Sequence, residues 1–223
     1  MIQSGVGMTS ARTRERLVLR LAEKGISNVR VLDRFRAIPR HIFIEEALSS
    51  RAYEDTALPI GAGQTISQPL IVASKVQELL KGRALDFKYK KILEIGSGCG
   101  FQSAILSGIA EHVYGVERIY SLVKKSSNLI RKLGIRNVSI IHADGNNGYL
   151  NSAPFDAIIL SAAIEEAPIN LLDTQLASNG VFIGPIGKTT QVLTKIIKKR
   201  SKLYQEELEA VNFVPFLPGV IHD

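Results

Sequence analysis

From about residue 90 onward, short apolar runs alternate with segments whose apolar residues recur at helical spacing. The runs predict strands at 91–95, 112–116, 138–143, 155–161 and 180–185. Helices are predicted between most of them, notably at 101–110, 120–133 and 170–176. Continuous apolar strands such as Ala157-Ile158-Ile159-Leu160 are typical of a parallel sheet that is covered on both faces. The pattern therefore predicts an α/β fold with a doubly wound, mostly parallel sheet.

The two ends of the chain follow other patterns. Helical spacing predicts one helix at 13–24 and a second that Asn28 caps and that stops before Pro39. Residues 191–197 and 203–214 predict an antiparallel pair of strands at the edge of the sheet. We therefore expect a helical N-terminal extension and antiparallel C-terminal edge strands around the parallel sheet.

These patterns also suggest how the chain is divided. Residues 1–13 are predicted to be a disordered tail, and 14–223 a single domain. Within that domain, 14–88 would form a helical region with a substrate loop, and 89–223 a cofactor-binding sheet.

Residues 53–69 fit neither the helical nor the strand period. They are rich in Gly, Pro and small polar residues, and long loops of this kind are often functional. Pro69 is suited to the first turn of a helix that continues through Val72 and Val76. We therefore expect a long ordered loop that leads into a helix.

Composition excludes few classes of protein. The 223 residues are 45% hydrophobic and 22% charged, which is typical of a globular domain. No apolar run approaches the roughly 20 residues that span a bilayer, and 1–16 lack the apolar stretch of a secretory signal. The single cysteine, Cys99, excludes an internal disulfide and is compatible with a reducing compartment. We expect a cytoplasmic protein that has no contact with membranes.

A net charge of +7 raises the question of nucleic acid. Much of the excess lies at Lys195, Lys198, Lys199, Arg200 and Lys202. These residues partly alternate with isoleucines, and no aromatic residues are interleaved for base stacking. The pattern favours a strand that runs into a solvated hairpin over an RNA-contacting surface, and we expect no nucleic-acid partner.

The most informative segment is Glu94-Ile95-Gly96-Ser97-Gly98-Cys99-Gly100, between a predicted strand and a predicted helix. Such a glycine-rich turn lets the backbone approach a ligand and points helix N–H groups at it. A dinucleotide fingerprint would need a third glycine at the position of Phe101. The spacing instead resembles the first motif of S-adenosylmethionine-dependent methyltransferases. Glu94 is better suited to orient the loop or to meet the ammonium group of the cofactor than to transfer a proton.

Acidic residues follow the next two predicted strands. Glu117 lies about twenty residues after the glycines, where an acid can accept hydrogen bonds from both ribose hydroxyls. Asp144-Gly145 follows the third strand, where the aspartate either accepts from the adenine amino group or only forms a turn. Cys99 is not assigned as a nucleophile, because small size between two glycines explains its presence.

Further motifs carry a more specific resemblance. These motifs are Asp55, 59–61, 63–69, Gly148-Tyr149, 153–158 and 213–215, in addition to the glycine segment, Glu117 and Asp144-Gly145. Together these segments, over about 14–216, resemble the protein-L-isoaspartate O-methyltransferase family. The Thr65-Ile66-Ser67-Gln68-Pro69 segment is the part specific to that family, whereas the glycine motif belongs to methyltransferases at large. Departures include Asn146-Asn147, Val72 and the residues after Pro215.

The resemblance implies a protein-repair enzyme. It would transfer a methyl group from S-adenosylmethionine to the α-carboxylate of L-isoaspartyl residues in damaged proteins and peptides. The ester would then cyclise to a succinimide without the enzyme, and hydrolysis would restore some normal aspartate. The resemblance also implies a monomer.

The resemblance implies a set of site residues as well. Ser67 is the active-site position, and Val214-Pro215 form a strand that lines the peptide groove. The implied cofactor-binding residues are Gln64, Thr65, Ile66, Glu94, Gly96, Ser97, Gly98, Gly100, Glu117, Arg118, Asp144 and Gly145. No metal site is assigned.

The chemistry is compatible with these residues. A carboxylate is already ionised at neutral pH, so its methylation needs no general base. Ser67 is suited to donate its hydroxyl to one carboxylate oxygen; alternatively it caps the helix near Pro69, or it does both.

Two other functions remain open. The net charge raises the possibility of an S-adenosylmethionine-dependent RNA or DNA methyltransferase. Enzymes that methylate base amino groups commonly carry an Asn/Asp-Pro-Pro-aromatic motif, however, and this chain has Leu160-Ser161-Ala162-Ala163 at that position. The second open function is that of a binding protein that retains the cofactor site but has lost catalytic turnover. The intact segment around Ser67 argues against it.

Overall fold

The computed structural model describes residues 7 to 223, and its first part is helical. The helices are α1 (Ala11–Glu23), α2 (Val29–Ala37) and α3 (Pro69–Leu80). Ser10 Oγ caps α1 by accepting from the Thr13 N–H, and the Asn28 side chain caps α2 as predicted, accepting from the Arg30 N–H. A short 3₁₀ turn, Gly7–Thr9, precedes α1. Residues 7–13 of the segment predicted as a disordered tail therefore have helical structure, whereas residues 1–6 lie outside the described residues.

The long segment before α3 contains a hairpin that the sequence pattern does not predict. Strands β1 (Leu58–Gly61) and β2 (Gln64–Ile66) pair antiparallel. Gly61 and Gly63 have φ values of +91° and +67°, which glycine adopts at no steric cost. The strands are too short for an alternating pattern to stand out, so sequence periodicity missed them.

Seven further strands form one sheet. They are β3 (Tyr89–Ile95), β4 (Ala110–Glu117), β5 (Val138–His142), β6 (Phe155–Leu160), β7 (Leu176–Ile186), β8 (Gln191–Lys199) and β9 (Lys202–Val211). Their order is β5-β4-β3-β6-β7-β8-β9, with parallel pairing from β5 to β7 and antiparallel pairing from β7 to β9. The mostly parallel sheet and its antiparallel edge are therefore confirmed.

Helices α4 (Phe101–Leu106), α5 (Tyr120–Lys132) and α6 (Ile169–Gln175) connect these strands. The prediction of a helix at 101–110 is too long at its C-terminal end. The Arg34 guanidinium donates to the carbonyl oxygens of Ala104 and Ile105, which satisfies acceptors at the end of α4. At Gly108 an added Cβ would lie 2.3 Å from the Arg34 side chain, so the chain there accommodates Arg34 and turns into β4.

Apolar side chains pack on both faces of the sheet. Neighbouring β3 residues divide between the two faces, Ile92 joining the larger cluster with α1 to α5 and Leu93 the smaller cluster with α6. Both clusters are buried, as the continuous apolar strands predict. No helix within residues 7–223 combines the length and apolar character needed to cross a membrane.

Candidate active site

A cavity of about 440 Å³ lies beyond the carboxyl ends of three adjacent strands. Each strand end contributes a pair of lining residues: Ile95 and Gly96 at the end of β3, Val116 and Glu117 at the end of β4, and Ser161 and Ala162 directly after β6. Between β3 and β6 the strand order reverses direction, because β4 and β5 follow on one side of β3 and β6 lies on the other. Ligands of doubly wound sheets bind in the crevice at such a point.

Two segments outside the parallel strands complete the walls. Gln64, Thr65, Ser67 and Gln68 come from β2 and the turn into α3, and residues 210–217 come from the end of β9 and the chain that follows it. Asp55 anchors the first segment, because its carboxylate accepts from the Leu70 N–H at 2.9 Å and from Lys24 Nζ at 2.7 Å. Asp55 thus links the start of α3, directly after the serine-bearing segment, to the end of the first helix.

The glycine loop after β3 presents two different faces. Gly96, Gly98 and Gly100 have φ values of +81°, +53° and +84°. Residues that carry a side chain rarely adopt this backbone conformation, whereas glycine does so at no steric cost. Gly96 and Gly98 line the cavity. Gly100 instead packs against α5, where an added Cβ would lie 3.1 Å from the Ser126 side chain. The first two glycines are therefore the ones that give a ligand access to the backbone.

Glu117 ties the end of β4 to this loop. One carboxylate oxygen accepts from the Gly98 N–H at 2.9 Å, and the other accepts from the Ile119 N–H at 3.0 Å. A carboxylate has about four acceptor sites, so Glu117 keeps acceptor capacity toward the cavity that it lines. The neighbouring Arg118 also lines the cavity and donates to the carbonyl oxygens of Pro218 and Gly219.

A buried polar network lies beneath the glycine loop. Glu94, 1% exposed, accepts from Gln102 Nε2 at 2.7 Å and from the Ser103 hydroxyl. Lys75, 0% exposed, donates to Ser161 Oγ at 3.2 Å, and Gln102 Nε2 donates to the same oxygen at 2.8 Å. Burial raises the pKa of Glu94, against the hydrogen bond from Ser103 and the charge of Lys75. Burial likewise lowers the pKa of Lys75.

Comparison with known proteins shows what this architecture is similar to. The family profile described as Protein-L-isoaspartate(D-aspartate) O-methyltransferase matches residues 12–220. The Protein-L-isoaspartate O-methyltransferase 1 of Marinobacter nauticus is 52% identical over 217 residues, covering 97% of each chain. The chain belongs to the protein-L-isoaspartate(D-aspartate) O-methyltransferase family.

Two further relatives of this isoaspartate methyltransferase family extend the comparison. The protein from Saccharophagus degradans is 51% identical over 218 residues, covering 97% of this chain and 96% of its own. A crystal structure of the Plasmodium falciparum protein in complex with S-adenosyl-L-homocysteine aligns with a TM-score of 0.78 and 28% identity. That alignment covers 92% of this chain and 98% of the other, which confirms the α/β methyltransferase fold.

The structure brings most of the site residues predicted from this family together. Those that line the main cavity are Gln64, Thr65, Ser67, Gly96, Gly98, Glu117, Arg118 and Gly145. Ile66, Glu94 and Ser97 line a smaller space of about 40 Å³, which Ser67 and Ser161 share with the main cavity. Gly100 and Asp144 line neither of these two spaces. Asp144 accepts from the Asn146 N–H at 2.9 Å and the Gly219 N–H at 2.8 Å, so it secures a turn and the C-terminal segment.

Ser67 does not cap α3. The N-cap position is Gln68, and the Leu70 N–H of the first turn is taken by Asp55. The helix-cap interpretation of Ser67 is therefore wrong, because a carboxylate from outside the helix already fills that place. Ser67 lies at the wall of the cavity and of the smaller space beside it.

Sequence reasoning about this isoaspartate methyltransferase missed four features of the site. Val214 and Pro215 line the cavity, but not as a strand: β9 ends at Val211, and Pro215 forms only an isolated bridge with Ala163. The aromatic walls at Phe213 and Phe216 were not assigned. Lys75 was missed because it lies among the apolar residues of α3, where the sequence gives no sign of its partners. Ser161 could have been found, since it is the last residue of the buried strand predicted at 155–161.

Cys99, in the glycine loop, lines the small space beside Ser67 and also faces the other side of the loop. It lines a second cavity of about 370 Å³ with Ile60, Phe43 and Leu122. Burial raises the pKa of its thiol well above the ordinary value, so the thiolate is disfavoured. Across residues 7–223 we find no cluster of three or more His, Cys, Asp or Glu side chains placed to hold a metal ion.

Proposed function

We propose that this chain methylates the α-carboxylate of L-isoaspartyl residues in damaged proteins and peptides, with S-adenosylmethionine as the methyl donor. The observation that carries the proposal is that Thr65 and Ser67 line the same cavity as Gly96, Gly98 and Glu117. The family-specific segment and the methyltransferase loop thus contribute to one site, as a reaction between an acceptor and a cofactor requires. The names of the relatives support the same substrate.

The residues of the cavity are suited to this cofactor. Gly96 and Gly98 open the backbone to it, and Glu117 has acceptor capacity left for two ribose hydroxyls. When bound, S-adenosylmethionine supplies a methyl group on a positively charged sulfur. Gln64, Thr65, Arg118 and Gly145 would line its site, whereas Ile66, Glu94, Ser97, Gly100 and Asp144 would support the loops around it.

Ser67 would donate its hydroxyl to one oxygen of the acceptor carboxylate and hold the other oxygen toward the methyl group. No proton has to be removed, because the acceptor is already ionised at neutral pH. The raised pKa of the Cys99 thiol keeps it mostly protonated, so it is a poor competing nucleophile at neutral pH. Alignment would then be the main contribution of the protein, and in well-positioned systems it lowers barriers by roughly 7–11 kcal/mol.

RNA methylation, the alternative raised by the net charge, has weaker support. Lys195 Nζ lies 2.9 Å from Glu78 Oε2, and Lys198 donates to the carbonyl oxygens of Leu172, Asp173 and Leu176. These lysines of the basic segment are committed to contacts within the chain. We therefore infer an isoaspartyl protein or peptide as partner and no nucleic acid.

The test is methyl incorporation into an isoaspartyl peptide, with the aspartyl peptide of the same sequence and total RNA as controls. We expect methylation of the isoaspartyl peptide alone. Ser67→Ala should lower kcat by about 10- to 100-fold, the scale of one hydrogen bond to a charged group. Its affinity for S-adenosylhomocysteine should stay within about twofold, and Ser67→Thr, which keeps a hydroxyl, should retain most activity. Wild-type turnover in Ser67→Ala would remove Ser67 from the mechanism, and methylated RNA would replace the proposed substrate.

Compartment and assembly stay predictions. The single cysteine is compatible with a reducing compartment such as the cytoplasm. We propose that the enzyme acts there as a monomer, for which gel filtration with light scattering is the measurement.

A further inference from the structure

Ser161 stands where the cavity meets the buried network. It directly follows β6 and lines both the main cavity and the smaller space beside Ser67. We infer that the Ser161 hydroxyl donates a hydrogen bond into the cavity and binds the α-carboxylate of the isoaspartyl acceptor together with Ser67. This inference rests on the proposed function, and it adds a second substrate-binding hydroxyl.

The direction of the Ser161 proton follows from its neighbours. A serine hydroxyl has one hydrogen to donate and two lone pairs that accept. The Lys75 ammonium can only donate, and it lies 3.2 Å from Ser161 Oγ. Gln102 Nε2, also a donor, lies 2.8 Å away. Both lone pairs are thus occupied, and the hydrogen has to point along the one remaining tetrahedral direction.

The orientation of the Gln102 amide is fixed by Glu94. Gln102 Nε2 also lies 2.7 Å from Glu94 Oε1, an oxygen that accepts when the carboxylate is ionised. Rotating the amide would place its oxygen against that carboxylate. When Glu94 is ionised, the amide nitrogen faces both Glu94 and Ser161 and donates to each.

The charge behind Ser161 favours an anion in front of it. The Lys75 side chain is fully buried and reaches the cavity through the serine oxygen. Accepting a hydrogen bond from a cation polarises the O–H group and strengthens the bond that it donates. Hydrogen bonds to ionised acceptors are about twice as strong as neutral ones. A carboxylate is the acceptor that this arrangement binds best.

The order of the strands assigns that carboxylate to the substrate. Along the sheet edge, β4 with Glu117, β3 with Gly96 and β6 with Ser161 are neighbours in that order. The proposed ribose ligand lies on one side of the glycine loop, and Ser161 lies on the other. Ser161 and Ser67 both line the small space beside that loop. The two hydroxyls can therefore contact the same acceptor group.

Binding of an isoaspartyl peptide to the protein saturated with S-adenosylhomocysteine tests this inference. Wild type, Ser161→Ala and Ser161→Thr are compared, each with the isoaspartyl peptide and with an otherwise identical peptide whose α-carboxylate is a carboxamide. Ser161→Ala should weaken binding of the carboxylate peptide by about tenfold or more and of the carboxamide by about threefold, because bonds to charged groups are the stronger ones. Ser161→Thr should resemble the wild type.

A structural role predicts another result. If Ser161 only supports the network, both peptides and S-adenosylhomocysteine lose affinity by similar factors, which would overturn the inference. Equal affinity of Ser161→Ala and wild type for the carboxylate peptide would also overturn it, while leaving the proposed function intact. A wild-type protein that binds and methylates no isoaspartyl peptide would overturn both proposals.

Discussion

Glu94 and Glu117 end neighbouring parallel strands, yet their surroundings differ. Glu94, on β3, accepts from the side chains of Gln102 and Ser103 and is influenced by the charge of the buried Lys75. Glu117, on β4, accepts from two backbone N–H groups and lines the main cavity. The comparison teaches that an acid at a strand end can support the site or face the ligand, and that its hydrogen-bond partners distinguish the two.

The largest expected effect is on stability, and it concerns Glu94, the acid that supports the site. Lys75→Met leaves the Glu94 carboxylate buried without its cation, so we expect the free energy of unfolding to fall by about 3–5 kcal/mol. Denaturant unfolding at pH 7 measures it. The double variant Lys75→Met/Glu94→Gln should recover most of the loss, because no unpaired charge remains.

A second lysine provides the matched control. Lys195 is also paired with a glutamate of α3, Glu78, but that carboxylate keeps Lys81 at 3.3 Å. Because Glu78 keeps this second cation, Lys195→Met should cost less stability than Lys75→Met. Equal losses of unfolding free energy in Lys75→Met and Lys195→Met would show that Lys75 contributes no more to stability than Lys195 does.

An intermediate effect is expected on the ligand side. Glu117→Ala removes acceptors for two ribose hydroxyls, so we expect affinity for S-adenosylhomocysteine to fall by about 100-fold, as hydrogen bonds to a charged group imply. Calorimetry measures it. Glu111→Ala, at the exposed opposite end of β4, is the control and should bind like the wild type. Unchanged affinity in Glu117→Ala would exclude this carboxylate from cofactor binding.

The smallest effect concerns the loop that Glu117 holds. Because only the thiolate reacts and burial raises the pKa of Cys99, alkylation of the native protein near pH 8 should be about tenfold slower than in urea. The raised pKa of Cys99 also sets how the two rates depend on pH. In urea the alkylation rate should reach half of its plateau at a pH of about 8.5, whereas the native rate should keep rising above that pH.

The same measurement separates the two acids. Glu117→Ala frees the Gly98 N–H and should speed alkylation of Cys99, whereas Glu111→Ala should leave it unchanged. A native rate equal to that in urea would contradict the raised pKa of this thiol.

The parallel sheet was predictable because its strands carry their signal locally. Residues such as Ile158 and Ile159 are buried on opposite faces, so each apolar run reads as a strand without knowledge of its neighbours. The glycine loop and the segment around Ser67 were also readable, since their residue types and spacing are local. The hairpin of β1 and β2 was not, because strands so short carry no period.

The remainder of the site depends on contacts between distant segments. Lys75 resembles a surface lysine until Glu94, Gln102 and Ser161 surround it. The helix-cap interpretation of Ser67 failed for a similar reason, since the capping carboxylate, Asp55, lies outside the local sequence. Neither relation leaves a periodic trace along the chain.

The wall formed by residues 210–217 has a consequence for how the enzyme is made. The glycine loop, Glu117 and Ser161 are all synthesised earlier, but the cavity lacks this wall until the two antiparallel edge strands have been translated and paired. Tight retention of S-adenosylhomocysteine would therefore report that the whole sheet has assembled. It offers a simple quality check for refolded or freshly translated protein.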